Sequence, residues 1–236
     1  MIIAVNFKTN KTRAGTVRYL SELENYLETN SITDDVMVFP PASALDQHNG
    51  KVVIGAQNIF PVANGAYTGE IGLDQIDEFG IKTVLIGHSE RRHIFGETQE
   101  LLVEKFNFFK EQDFTIVYCI GEPIEVREEG SEVLMRYLDN QLEGIDLSYK
   151  KLIIAYEPVW AIGTGLTPEI GDIELIHGAL RHQIDRPILY GGSVKVANAK
   201  EILALNNVDG ALIGSGALKI EDFCKIIKIA DETKSI

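Results

Sequence analysis

Cysteine is scarce in this chain, and the two present, Cys119 and Cys224, are too few to staple a secreted mini-protein and lie at no metal-binding spacing. A reducing compartment, the cytoplasm, is the expectation. Long apolar runs are missing as well. The opening MIIAV meets Asn6 and Lys8 almost at once, which fits neither a signal-peptide core nor a membrane span and reads as a first strand. Basic residues are outnumbered, 22 Lys and Arg against 35 Asp and Glu, for a formal net charge of −13. Nucleic acids and anionic membranes are bound mainly through excess Lys and Arg, so neither is expected as a partner. A small anionic metabolite stays open, because one or two buried cations and a few N–H groups set the field inside a cleft. No Ser/Pro linker and no fixed-period repeat interrupts residues 1–236, which argues for a single domain and against a solenoid.

What is present is a regular alternation. Apolar, β-branched runs recur at IIAVNF, DVMVFP, KVVIGAQN, KTVLIGH, FTIVYCIGE, LIIAYEP, PILYGGS and DGALIGS, each closed by Gly, Pro or polar residues as buried strands are. Between them TVRYLSELENYLE, LLVEKFNFFKEQ, EVLMRYLDNQL, ELIHGALRHQI and VANAKEILAL carry helical periodicity. About eight strand–helix units imply a parallel α/β sheet closed into a (β/α)8 barrel. A doubly wound open sheet is the alternative; it usually carries a Gly-rich turn after its first strand, where this chain has NFKTN.

Polar residues gather at the carboxyl ends of these strands, the catalytic face of such a barrel. Asn6 and Lys8 lie two apart after a buried run and are expected to point the same way; Lys8 then needs a carboxylate or an anionic ligand. His88 ends the fourth strand, with Ser89 the expected cap of a short helix whose positive end disfavours an imidazolium. The other four histidines sit among no polar constellation and read as structural. Glu157 leaves the apolar LIIAY before Pro158, where desolvation raises a carboxylate's basicity. The following Val159, Trp160, Ala161 and Ile162, then Gly163, Thr164 and Gly165, form an apolar strip able to hinge, as a lid does. Small residues from Tyr190 to Ser193, and at Gly214 and Ser215, let backbone N–H groups approach a phosphate after strands seven and eight. Cys119 reads as a small buried hydrophobe.

In order and strand position, NFK, IGHSERR, YCIGE, AYEPVWAIGTG, YGGSV and DGALIGS closely resemble the motifs of the triosephosphate isomerases, from residue 2 to the final helix. The resemblance implies a TIM barrel without metal or cofactor that interconverts D-glyceraldehyde 3-phosphate and dihydroxyacetone phosphate through an enediolate, in glycolysis and gluconeogenesis. It implies Glu157 as the base, neutral His88 as the electrophile, Lys8 offsetting the enediolate charge and pairing with Glu90, and Asn6 bonding a substrate oxygen. Backbone groups of Gly163, Ser193, Gly214 and Ser215 would hold the phosphate, with Ile162 and Leu212 closing over Glu157. NIFPVANGAYTGE resembles the loop by which subunits of the family interlock as a homodimer, Thr68 reaching the neighbour's site.

Some positions depart from that pattern. Phe7 and Thr9 stand where Trp and Met are common, the lid's far side (Gly165, Leu166, Thr167, Pro168) is short and lacks a Lys, and Ser215 replaces a glycine, which predicts strain if the position needs positive φ. Two rivals remain: a Schiff-base lyase with Lys8 as nucleophile, and a retired barrel that only binds sugar phosphates or protein partners.

Overall fold

A computed structural model describes residues 1–162 and 168–233. Eight parallel strands alternate with helices: β1 (Ile2–Asn6), β2 (Asp35–Phe39), β3 (Val53–Ile54), β4 (Thr83–Ile86), β5 (Thr115–Ile120), β6 (Leu152–Tyr156), β7 (Ile188–Tyr190) and β8 (Gly210–Ile213). Their order, β3-β2-β1-β8-β7-β6-β5-β4, is sequential around a circle, and Ala56 bridges to Val84 in parallel, joining the two edges. The open-sheet alternative falls with that closure: the architecture is a (β/α)8 TIM barrel. The third strand is shorter than KVVIGAQN suggests because the chain changes partner there. Gly55 N–H donates to Val38 O at 3.0 Å, and one residue on Ala56 N–H donates to Thr83 O at 2.9 Å.

Side-chain alternation along each strand builds two cores. One parity faces the helices: Ile3 and Val5, Ile116, Tyr118 and Ile120, Ile154 and Tyr156. The other fills the lumen with a separate cluster that includes Ala4, Leu85, Val117, Cys119, Ala155, Leu189 and Leu212. Burial on both faces explains why the strands read as unbroken apolar runs. The longer helices are α1 (Arg13–Thr29), α4 (Gln99–Glu111), α6 (Ser131–Leu142), α7 (Ile170–Arg181) and α9 (Ile220–Thr233), with shorter α2 (Leu73–Asp77), α3 (Ser89–His93), α5 (Ile124–Glu128) and α8 (Ala199–Leu203). Thr12 caps α1 through Gly15 N–H and Thr98 caps α4 through Leu101 N–H, each cap contributing roughly 1 kcal/mol. Among the described residues no helix is long and apolar enough to cross a membrane.

Candidate active site

The lumen parity continues past the strand ends and there changes character. Two residues beyond Ala4, Leu85, Cys119, Ala155, Leu189 and Leu212 come Asn6, Gly87, Gly121, Glu157, Gly191 and Gly214. Four of the six have no side chain; Gly191 and Gly214 among them line the mouth, into which Asn6 and Glu157 project. The resulting cleft has a volume of about 250 Å3 and is lined also by Lys8, His88, Ile162, Ser193, Leu212 and Ser215. Sites for drug-sized ligands occupy ~300–1,000 Å3, so this one suits a small metabolite.

Lys8 reaches this cleft by a route other than simple alternation. The strand ends at Asn6, whose Oδ1 accepts the Lys8 N–H at 2.9 Å, and Lys8 sits in the left-handed region at φ 49°. That conformation costs a non-glycine residue roughly 1–2 kcal/mol. Two neighbours hold it: Asn6, and Gln57, whose Nε2 donates to the Lys8 carbonyl at 2.9 Å. The ammonium, half-buried, donates to Glu90 Oε1 at 2.8 Å.

His88 itself caps α3, and this corrects the assignment of the cap to Ser89. Glu90 N–H donates to His88 Nδ1 at 3.2 Å, so Nδ1 carries no proton and the ring proton resides on Nε2. Ser89 N–H is turned instead toward Glu157 Oε2, at 3.1 Å. Glu157 Oε1 lies 3.4 Å from His88 Nε2, and both side chains are almost wholly buried. Cys119, fully buried, lies beside the same carboxylate; burial and the Glu157 charge push its thiol well above the usual range, which makes it inert at neutral pH.

The lid strip begins with a 3-10 turn over Val159–Ala161. Trp160 Nε1 donates to Glu122 Oε1 at 3.0 Å, and Tyr156 hydroxyl donates to the same oxygen at 3.1 Å. Burial raises the Glu122 pKa. Ile162 and Leu212 line the cleft from opposite elements. Gly163 and the rest of the strip to Thr167 lie outside the described residues.

At the opposite end, Asn198 ties the loop after β7, its Nδ2 donating to Ser193 O at 2.9 Å and its Oδ1 accepting Lys195 N–H at 2.7 Å. Ser215 opens a 3-10 turn to Ala217 and is absent from the positive-φ residues. The expected strain at Ser215 therefore does not arise; a turn that begins in right-handed space accepts serine as readily as glycine. Thr68 is exposed on the segment after β3, where the rings of Phe60 and Tyr67 lie 4.6 Å apart.

Two residues with a large part in this geometry went unremarked in the sequence. Arg92 donates to the carbonyls of Gly87 and Cys119 at 2.8 and 3.1 Å, tying the ends of β4 and β5. Gln141 of α6 pairs with the Gly121 peptide. The signal for Gln141 was its place on the apolar stripe, with Leu134, Leu138 and Leu142.

A closed parallel barrel whose carboxylate, imidazole and ammonium converge on one small cleft at the strands' carboxyl ends is the constitution of a barrel enzyme acting on a small anionic metabolite. Within that class the sequence comparisons are specific. A family model described as triosephosphate isomerase matches residues 1–230, and the chain belongs to that family. It is 56% identical over 230 residues to a triosephosphate isomerase of Sulfurimonas denitrificans, covering 98% of this chain and 96% of the relative. A relative of the same name from a Sulfurovum species is 57% identical over 227 residues, 96% of this chain and 99% of its own. One from Wolinella succinogenes is 54% identical over 230 residues, 97% and 99%.

Proposed function

We propose that this chain interconverts D-glyceraldehyde 3-phosphate and dihydroxyacetone phosphate, a cofactor-independent aldose–ketose isomerisation. The observation that carries the reading is the convergence of Glu157, His88 and Lys8 on one cleft, with Glu157 Oε1 and His88 Nε2 3.4 Å apart. A proton must leave one carbon and arrive at its neighbour while another moves between the two oxygens. Glu157 serves the carbons and exchanges its Ser89 N–H for substrate when it does so. His88, with its proton on Nε2, donates to the substrate oxygens and takes a proton back. Lys8 offsets the negative charge that develops on the enediolate, and Asn6 hydrogen-bonds a substrate oxygen.

The phosphate is held at the other end of the cleft by N–H groups of Ser193, Gly214 and Ser215, joined by Gly163. Ile162 and Leu212 shut water from Glu157, which strengthens the base and keeps the enediolate from eliminating phosphate. The protein acts in the cytoplasm as a single domain, and as a homodimer. Support for the dimer comes from exposed apolar side chains beside the site, Ile94 at 72% and Phe95 at 65% exposure. They border a groove that also reaches Lys8 and His88, and Thr68 of a second copy would enter it.

A coupled assay with D-glyceraldehyde 3-phosphate tests the reaction, run beside Glu157→Gln prepared identically. Wild-type turnover reduced about 10²–10⁴-fold in the variant is expected for a lost general base. A wild type without turnover that still binds inorganic phosphate would leave the retired barrel as the reading.

A further inference from the structure

Glu157 stands on a platform made by three consecutive residues, the last of β5 and the first two of the loop that follows it. Ile120 O accepts the Glu157 N–H at 2.7 Å, and Glu122 O accepts the Val159 N–H at 3.0 Å. Between them Gly121 packs so closely that a Cβ on it would fall 1.7 Å from the Glu157 carbonyl oxygen. Contact of that kind transmits position: a small shift of the Gly121 peptide moves the backbone from which the Glu157 side chain projects.

That peptide is gripped from behind by one side chain. Gln141 Oε1 accepts Gly121 N–H at 2.8 Å and Gln141 Nε2 donates to Gly121 O at 3.0 Å, a two-point clamp on the two successive peptide units that meet at Gly121 Cα, which restrains the backbone on both sides of that residue. The side chain is buried, with 7% of the residue exposed, where the α6 stripe otherwise carries leucine. A buried amide in an apolar stripe costs free energy unless its donors and acceptors are matched, and here the match is the Gly121 peptide. The backbone of Gln141 is anchored in turn, its carbonyl accepting from Tyr118 hydroxyl and Gln99 Nε2, each at 2.9 Å.

We propose that Gln141 is a positioning residue for the isomerisation: it sets the height and orientation of Glu157 through the Gly121 peptide. The inference rests on Glu157 being the base. A leucine or methionine would fill the same space and leave Gly121 N–H and O without their partners, freeing the platform to shift. Displacement of a catalytic group by as little as ~1 Å can cost ~10²-fold in rate. Ser193, Gly214 and Ser215 follow β7 and β8, and among the described residues no hydrogen bond joins them to Gln141 or Gly121, so phosphate affinity should change far less than turnover.

The test is a cycle of Gln141→Met, Glu157→Asp and the double variant, with kcat, KM and inorganic phosphate affinity measured for each. The expected result is kcat lowered about tenfold or more in Gln141→Met, with KM and phosphate affinity within about twofold of wild type. The same substitution should cost less in the Glu157→Asp background, where the base is already displaced. A folded Gln141→Met with wild-type kcat, or equal costs in the two backgrounds, would overturn the proposal. Glu157→Asp with unchanged kcat would instead remove the base itself. Gln141→Glu serves where Met prevents folding. It keeps an acceptor for Gly121 N–H and regains the donor only when protonated, so its kcat relative to wild type should rise as pH falls. A ratio flat with pH would also overturn the assignment.

Discussion

His88 Nε2 faces Glu157 Oε1 at 3.4 Å while His88 Nδ1 receives the Glu90 N–H at 3.2 Å. The donor at Nδ1 belongs to the backbone, so the tautomer is set by the chain path at the start of α3 and by no replaceable side chain. One function of the ring follows, to present an N–H at the Nε2 position. His88→Gln can place an amide N–H near that point and His88→Asn cannot reach it. Steady-state assays should find both impaired, with Gln retaining at least about tenfold more kcat than Asn; equal loss would assign the ring a role other than donation.

Gly191 is held against Glu157 as Gly121 is, from the other side. A Cβ at Gly191 would meet Glu157 Cγ at 2.7 Å and Tyr156 O at 3.2 Å. The Glu157 side chain must yield, because the strand-end carbonyl is fixed by Gly191 N–H at 2.7 Å. Gly191→Ala is expected to fold with nearly unchanged thermal stability and to lose about ten- to a hundredfold in kcat. Wild-type turnover would mean the carboxylate tolerates displacement.

His177 predicts a pH dependence of stability unrelated to catalysis. It is fully buried on α7, hydrogen-bonded through Nδ1 to Asn207 O at 3.0 Å, with its ring between Tyr156 and Tyr190. Burial lowers its pKa to about 4 from 6.5, outweighing the Asn207 carbonyl and the Asp209 charge, which pull upward. Between those two values the unfolded chain binds a proton that the folded chain refuses. Stability from this group is therefore complete above pH 6.5 and is lost as pH falls toward 4, with a slope of at most ~1.4 kcal/mol per pH unit. Denaturant melts of wild type and His177→Asn across that window should show a shallower pH slope in the variant.

The dimer proposal has its own check. Light scattering at micromolar concentration should give twice the mass of one chain, and Thr68→Arg should shift the population toward monomer with a loss of turnover. A fully active wild-type species of single-chain mass would refute it.

Much of the secondary structure was legible from the period that burial imposes, though the buried stripe of α9 was not singled out. All eight strands showed as apolar runs because both faces are covered, and α1, α4, α6 and α7 showed their stripes. The five-residue helices α2 and α5 did not; α8, equally short, showed only because the longer VANAKEILAL around it carries the period. Asn6, Lys8, His88, Glu90 and Glu157 could be picked out as polar groups at the ends of apolar strands, and the family resemblance gave each a role. Their arrangement was less accessible. The cap of α3 is His88 because its own ring reaches Glu90 N–H, and Ser89 is left to meet Glu157.

By itself, then, the sequence determined the barrel and the polar groups gathered at the carboxyl ends of its strands, because those depend on local period and residue type. Only the tertiary structure decided which groups hold the others in place. The Gln141 clamp on Gly121, the Arg92 tie between β4 and β5, and the left-handed turn at Lys8 that Gln57 holds join residues up to 49 positions apart. Such contacts arise when closure of the sheet brings strand ends together, and a linear pattern records the side chains without recording that approach.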